Sequence, residues 1–346
     1  MAGVASMSSL LAACASGTPA SASGGAPAGS INVLGWTDYN APELNAPGIT
    51  ANWTPLASSA DLYTKTRQPG TFDVGMPTSF LFGTMLDLDI VEPLDESRLA
   101  NIGNIDPALD MSWAYRDGRL HAVPLLTFWS YAIWNKAQTS EPKTIADLMK
   151  PELKGKVGLL DDQVTLNIFA KLTGDYDGQP MTEQKFEEVL GILDRLRPQI
   201  GSVYSFGSSI DLFSRGEIAV TVHSNLPELR NVRAAGVDAG GAFFGSYAAV
   251  DGLCMIKGAS NPDAVYAYLD HSLEPAVQAA VTSESETAVT VLGAEDMASD
   301  LVREFGGVSN ILKNSLILAP IPAESSDGVV GFSEMSRAWQ EFKESL

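Results

Sequence analysis

A carboxylate flanked by aromatic side chains is the feature of this sequence most able to do chemistry. Trp36, Thr37, Asp38 and Tyr39 follow the apolar run at residues 31–34. A carboxylate such as Asp38 attracts an ammonium group by roughly 4 kcal/mol at 4 Å for an effective dielectric near 20, before desolvation is subtracted. An aromatic face adds about 0.5 to 2 kcal/mol through cation–π contact. The pattern is typical of a site for an organic cation, and core packing of Trp36 and Tyr39 is the alternative interpretation.

Nothing in the sequence predicts catalysis, a metal site or a cofactor. The three histidines, His121, His223 and His271, are far apart, and the motifs HExxH, CxxC and GxSxG are absent. A zinc site or a Ser-His-Asp triad therefore has no local support. The phosphate-binding loop of an ATPase is also absent, so any energy-dependent step requires partner chains.

Length and charge narrow the class of protein. A chain of 346 residues exceeds a single ordinary core and predicts two domains of roughly 100 to 200 residues each. The formal net charge is −20, from 42 acidic and 22 basic residues. Without clustered Lys and Arg to neutralise phosphates, this composition argues against nucleic-acid binding. It is compatible with a cationic ligand, and also with an acidic surface that only keeps the protein soluble.

The N-terminal segment resembles a bacterial lipoprotein signal. Residues 11–14 read Leu-Ala-Ala-Cys, like a lipobox in which the cysteine is diacylated after cleavage. We therefore predict a signal peptide at residues 1–13, and a lipidated Cys14 with a flexible tether at residues 14–30. Residues 1–13 contain no Lys or Arg, so either the true start lies upstream or the sequence is trimmed, and an incidental cysteine is the alternative.

Cys254 is the only other cysteine, and it lies in an apolar run. We expect it to fill space in the core, and we expect no disulfide within the mature body. No later apolar run reaches the length of a membrane-spanning helix.

Apolar runs alternate with stretches of helical period, which predicts an α/β fold. Residues 31–34 and 73–77 are predicted strands, and Thr78 or Ser79 is a candidate cap for the helix after the second. A single apolar stripe predicts a helix over residues 181–198. A capping box at residues 144–147 predicts a short helix before Pro151. Residues 262–281 are also predicted to be helical.

Five segments together resemble one family. They are residues 33–39 (VLGWTDY), 72–79 (FDVGMPTS), 91–95 (VEPLD), 148–157 (LMKPELKGKV) and 250–253 (VDGL). Their order and spacing are similar to those of the solute-binding proteins of ABC importers, in particular the spermidine/putrescine-binding branch. The resemblance extends over about residues 31 to 345.

The resemblance implies a two-lobe periplasmic-binding-protein fold of type II, with the ligand cleft between the lobes. By analogy, lobe one comprises residues 31–133 and 251–294, and lobe two comprises residues 134–250 and 295–346. The implied function is capture of a polyamine or another small cationic solute and its delivery to an ABC permease and its ATPase. An extracytoplasmic monomer, attached to the membrane by its lipid anchor alone, is expected.

The resemblance also implies a set of ligand-binding residues. They are Trp36, Thr37, Asp38, Tyr39, Thr78, Phe80, Asp162, Ser224, Tyr247 and Asp251. A capping role for Thr78, a core role for Phe80 and a solvated turn for Asp162 are the alternatives. Asp251 has independent support, because an acid inside an apolar strand is costly to bury unpaired.

The chain departs from the family pattern at three positions. The family's second acid in the lobe-two loop falls at Thr165, and two tryptophans of its polyamine clamp fall at Ser224 and Ala249. Tyr247 shares a strand face with Ala249 and Asp251, so it is a candidate replacement for one ring. Three more aromatic residues lie near the expected first crossover: Trp129, Tyr131 and Trp134.

These departures leave several ligands open. One alternative is a smaller or monocationic amine, and another is a pocket rebuilt for a different solute class. Arg67, Arg116 and Arg119 have no predicted position, so an amino acid or other zwitterion is also an alternative. A lipoprotein that docks protein partners without a small ligand is the remaining class.

Overall fold

The computed structural model describes residues 27–56, 59–225, 227–294 and 297–346, without the side chains of residues 59 and 60. The predicted signal peptide, Cys14 and most of the predicted tether lie outside the described residues. Within these ranges, no helix combines the length and the apolar character that crossing a membrane requires.

Strands and helices alternate along the chain, as the sequence predicts. The strands in chain order are β1 (Gly29–Gly35), β2 (Ile49–Pro55), β3 (Val74–Gly75), β4 (Tyr115–Arg116), β5 (Arg119–Leu120), β6 (Ala122–Trp129), β7 (Tyr131–Asn135), β8 (Val157–Leu160), β9 (Ile200–Tyr204), β10 (Val220–Ser224), β11 (Ala239–Ala242), β12 (Tyr247–Met255) and β13 (Leu316–Ile317). The helices are α1 (Ser59–Thr66), α2 (Ser79–Asp87), α3 (Ile145–Leu148), α4 (Thr165–Leu172), α5 (Glu183–Leu196), α6 (Ser209–Ser214), α7 (Glu228–Ala234), α8 (Pro262–His271), α9 (Pro275–Ser285), α10 (Asp300–Glu304), α11 (Val308–Asn314) and α12 (Phe332–Glu344).

The first lobe is built on a six-stranded mixed sheet. β1 pairs in parallel with β2 and with β3. The long strand β12 runs antiparallel to β3 and β6 and parallel to β13. Every residue of β6 and β12 is buried, as expected for apolar strands that are covered on both faces.

The second lobe is built on a five-stranded sheet in the order β11-β7-β10-β8-β9. β8 pairs in parallel with both β9 and β10. β7 runs antiparallel to β10 and β11. The carboxyl ends of β8, β9 and β10 therefore lie at one edge of this sheet, where ligands of α/β folds bind.

The chain crosses between the sheets from β6 to β7 and from β11 to β12. The predicted lobe boundaries at residues 133 and 250 fall inside β7 and β12. Each of these strands is hydrogen-bonded within one sheet, so it belongs to that sheet along its whole length. β13, within the segment predicted for lobe two, pairs with β12 of the first sheet. The assignment of the chain to lobes remains a prediction in its details.

The local structure confirms most of the predicted elements. Residues 31–34 lie in β1, and the stripe between residues 181 and 198 forms α5, whose cap Thr182 accepts a hydrogen bond from the Lys185 amide at 3.2 Å. The capping box at Thr144 and Asp147 opens α3. The predicted helix at residues 262–281 is instead two helices, because Pro275 lacks an amide hydrogen and begins α9.

Cys254 is fully buried in β12. Its thiol donates to the carbonyl of Gly75 at 3.5 Å, and burial raises the pKa of the thiol to about 12. This agrees with the predicted role as core filler.

Candidate functional site

A cavity of about 450 Å³ lies between the two sheets. Its walls include residues that directly follow β1, β2, β8, β9 and β10. Nine of the ten predicted ligand-binding residues line it, all except Ser224. The carboxyl edges of both sheets thus converge on one space, which is the arrangement expected for a ligand cleft.

Asp251 is the centre of the wall formed by the first lobe. It is 2% exposed, and its Oδ1 accepts a hydrogen bond from the Thr78 hydroxyl at 2.5 Å. The Tyr39 hydroxyl also bonds to this carboxyl. Burial raises the pKa of Asp251 to about 7, although both hydrogen bonds oppose the rise. A cation that binds beside this carboxyl would favour its ionised form and pair with it.

The strand pairing is irregular directly beside Asp251. The pairing of β12 with β6 shifts register between Asp251 and Gly252, which marks a β-bulge. A side chain at Gly252 would meet Trp113 at 2.6 Å and the Val123 carbonyl at 2.7 Å. Glycine is therefore required beside the site for a steric reason.

Thr78 lines the cavity and does not form the side-chain cap that was its alternative role. It occupies the N-cap position of α2, but no side-chain capping bond forms there. An isolated antiparallel bridge joins Thr78 to Asp251 and holds the two side chains together. The hydroxyl consequently positions the carboxyl.

Aromatic rings cover much of the remaining wall. Tyr247 packs edge-on against Phe80 and against Phe128, with ring centroids 5.9 Å apart in each pair. Its hydroxyl lies 3.3 Å from Nε2 of His223, whose pKa burial lowers to about 3. The rings that line the cavity are Trp36, Tyr39, Phe80, Phe128, Phe206 and Tyr247. Such faces suit the methylene groups and the positive ends of an alkylammonium.

Two carboxyl groups line the cavity from the second lobe. Asp162 follows β8 and accepts a hydrogen bond from the Val164 amide at 2.8 Å, while burial raises its pKa to about 6. Glu228 begins α7 and is 2% exposed. Burial raises the pKa of Glu228 to about 7 against several hydrogen bonds. The sequence had not identified Glu228, and no motif at that position could have done so.

Asp38 occupies a different electrostatic setting. Thr37 and Asp38 lie in an exposed turn after β1. Partial desolvation of the carboxyl raises the pKa of Asp38, and the positive charge of Arg230 opposes that rise. Arg230 lies 3.5 Å from Glu286. The charge of Asp38 is therefore partly compensated.

Ser224 is the one predicted ligand-binding residue that does not line the cavity. It is fully buried, and its Oγ lies 2.6 Å from Oγ1 of Thr221. Its hydroxyl hydrogen bonds to the carboxyl of Glu228, which does line the cavity. Ser224 is thus linked to the cavity through Glu228.

The other departures from the family pattern also receive positions. Thr165 contacts Nδ1 of His223 at 2.9 Å and does not replace an acid. Trp129 and Tyr131 are fully buried and pack with Phe305 in the core. Arg116 pairs with Asp87 at 3.0 Å. Among the described residues that line the cavity there is no Lys or Arg, so Arg67, Arg116 and Arg119 do not contribute a positive charge to its wall.

The acidic groups do not form a metal centre. Within the described part of the chain, no three His, Cys, Asp or Glu side chains cluster in a way that could hold a metal ion. The four carboxyl groups of the cavity are spread over both walls: Asp38, Asp162, Glu228 and Asp251.

The chain is similar to known solute-binding proteins along most of its length. Residues 44–294 match the family described as bacterial extracellular solute-binding protein. The spermidine/putrescine-binding periplasmic protein of Escherichia coli strain K12 is 24% identical over 193 residues, which are 53% of this chain and 55% of that protein. In this match the chain spans about half the length of its curated relatives.

A second relative and a solved structure extend the similarity. The putrescine-binding periplasmic protein PotF of Escherichia coli strain K12 is 26% identical over 312 residues, covering 80% of this chain and 82% of that one. The structure of the spermidine/putrescine ABC transporter substrate-binding protein PotD from Streptococcus pneumoniae has a TM-score of 0.72 at 21% identity. It covers 91% of this chain and 98% of that chain, and at this identity it establishes the fold.

These similarities confirm the predicted resemblance and the two-lobe α/β fold with a cleft. The family match spans more than half of the chain. The protein belongs to the bacterial extracellular solute-binding protein family.

Proposed function

We propose that this protein captures a small organic cation, a polyamine or a related amine, in the cavity between its lobes and delivers it to an ABC permease. The observation that carries this proposal is the charge of the wall. Four carboxyl groups and six aromatic rings line the cavity, and the lining residues described include no basic side chain. A carboxylate beside an aromatic face binds an ammonium group and covers its methylenes.

The similarity to spermidine- and putrescine-binding proteins supports the same ligand class. Membership of a family of solute-binding proteins also supports the prediction that the chain is not an enzyme. In the proposed mechanism, the solute binds the closed form better than the open form, since only differential affinity shifts that equilibrium. The closed form then docks on the permease, whose ATPase supplies the energy.

The proposal includes an extracytoplasmic location and lipidation of Cys14, with the protein acting as a monomer. Metabolic labelling with a fatty acid tests the anchor, and label that persists in a Cys14→Ala variant would contradict it. Size-exclusion chromatography with light scattering tests the oligomeric state.

Ligand identity is tested by a thermal-shift screen followed by calorimetry. The panel contains putrescine, spermidine, n-butylamine, amino acids and sugars. A ligand at 100 times its dissociation constant stabilises the protein by about 2.7 kcal/mol, which raises the melting temperature visibly. Responses to amines support the proposal. A response to sugars or amino acids alone would refute it.

A further inference from the structure

The second-lobe wall contains a buried carboxyl group whose hydrogen bonding is incomplete. Oε1 of Glu228 accepts hydrogen bonds from the Ser209 hydroxyl at 2.7 Å and from the Gly207 amide at 3.3 Å. Among the described residues, none donates a hydrogen bond to its Oε2. A buried carboxyl oxygen without a donor is costly. The group is therefore suited to receive a donor from outside the chain, such as an ammonium group of a ligand.

We propose that Glu228 receives a second cationic group of the ligand and makes the protein prefer diamines and longer polyamines to monoamines. This inference deepens the proposed function and rests on it. Asp251 is held by donors of the first lobe, Tyr39 and Thr78. Glu228 is held by donors of the second lobe. The two carboxyl groups thus line one cavity from opposite walls.

No Lys or Arg of the described residues forms an ion pair with Glu228. Arg230, two residues further along, pairs with Glu286 and acts on Asp38. The Ser224 hydroxyl and the Asn225 amide favour the ionised form of Glu228 without completing the bonding of Oε2. Two ammonium groups on one flexible chain repel each other, so they separate and each requires its own carboxylate.

A purely structural acid in this protein has a different environment. Asp73 is also 2% exposed, but it accepts hydrogen bonds from the Asn32 amide at 2.7 Å and from Ser260 at 2.6 and 2.9 Å. Both of its oxygens have donors. Glu228 shares the burial of Asp73 and lacks this satisfaction, and it lines the cavity as Asp73 does not.

The test compares two ligands with the same carbon chain. Putrescine carries an ammonium group at each end, and n-butylamine carries one. Their affinities are measured by calorimetry for the wild-type protein, for Glu228→Gln and for the control Glu141→Gln, an exposed acid away from the cavity. Spermidine is measured in parallel, and thermal melts establish that each variant is folded.

We expect the wild-type protein to bind putrescine more tightly than n-butylamine by about ten- to a hundredfold, the ratio that a charged hydrogen bond supports. Glu228→Gln should reduce this ratio to below about threefold by weakening putrescine alone, and Glu141→Gln should leave it unchanged. A ratio that survives in Glu228→Gln would overturn the inference, and so would equal weakening of both ligands. If no amine binds the wild-type protein, the proposed function itself fails, and the inference fails with it.

If Glu228→Gln does not fold, Ser209→Ala gives a second measurement. This change removes one donor that orients the carboxyl and keeps its charge. We expect it to weaken putrescine several-fold and to leave n-butylamine unaffected. No change in either affinity would contradict the inference.

Discussion

Asp251→Asn should weaken ligand binding and, at pH 8, make the ligand-free protein more stable. Burial raises the pKa of this carboxyl from 3.8 to about 7. Since the folded protein then binds more protons than the unfolded chain between about pH 4 and 7, its stability falls as the pH rises through that window. The full difference corresponds to about 4 kcal/mol above pH 7.

Lost hydrogen bonds offset part of this gain. An asparagine keeps one oxygen that can accept from the Thr78 hydroxyl, but it does not reproduce the bond to Tyr39, and each such bond contributes about 1 kcal/mol. We therefore expect a net stabilisation of about 1 to 3 kcal/mol at pH 8. It should vanish at pH 5, where the wild-type carboxyl is already protonated.

Affinity for the cation should fall at least about thirtyfold, because removing one partner of a buried charged pair costs about 2 kcal/mol or more. Urea unfolding at pH 5 and pH 8 measures stability, and calorimetry measures binding. Asp73→Asn is the matched control, and it should lose about 2 kcal/mol of stability without a change in affinity, since Asp73 has a full set of donors. Destabilisation of ligand-free Asp251→Asn at pH 8 would refute the reasoning.

Three further results are expected. Affinity should rise between pH 5 and pH 8 and binding should release protons, because Asp162, Glu228 and Asp251 have pKa values raised to about 6, 7 and 7. Calorimetry in buffers of different ionisation enthalpy counts these protons, and an affinity that does not change with pH would contradict the prediction. Asp38→Asn should weaken binding by about threefold to tenfold, less than Asp251→Asn, because Arg230 already compensates part of the charge of Asp38. Calorimetry compares the two variants, and equal losses of affinity would contradict the prediction. Gly252→Ala should lower unfolding free energy by about 1 to 3 kcal/mol through its clash with Trp113, and a urea midpoint equal to wild type would disprove this.

The sequence predicted the elements and much of the first wall for local physical reasons. The aromatic and acidic cluster follows β1 directly, and the acid at position 251 stands out in an otherwise apolar strand. Each is visible within a few residues of chain. The break between α8 and α9 is also a local feature, because Pro275 begins α9, but the sequence was interpreted as one helix across it.

The second wall could not be predicted in the same way, because its residues meet through the packing of separate strands and helices. Glu228 begins a helix whose sequence shows an ordinary surface acid, yet it is buried, and its partners Gly207 and Ser209 lie about twenty residues earlier in the chain. Ser224 was assigned to the ligand from its place in the family pattern, yet it is fully buried and is not among the residues that line the cavity. The second wall therefore presents a buried carboxyl group at position 228, whereas the family pattern pointed to position 224, whose side chain does not line the cavity.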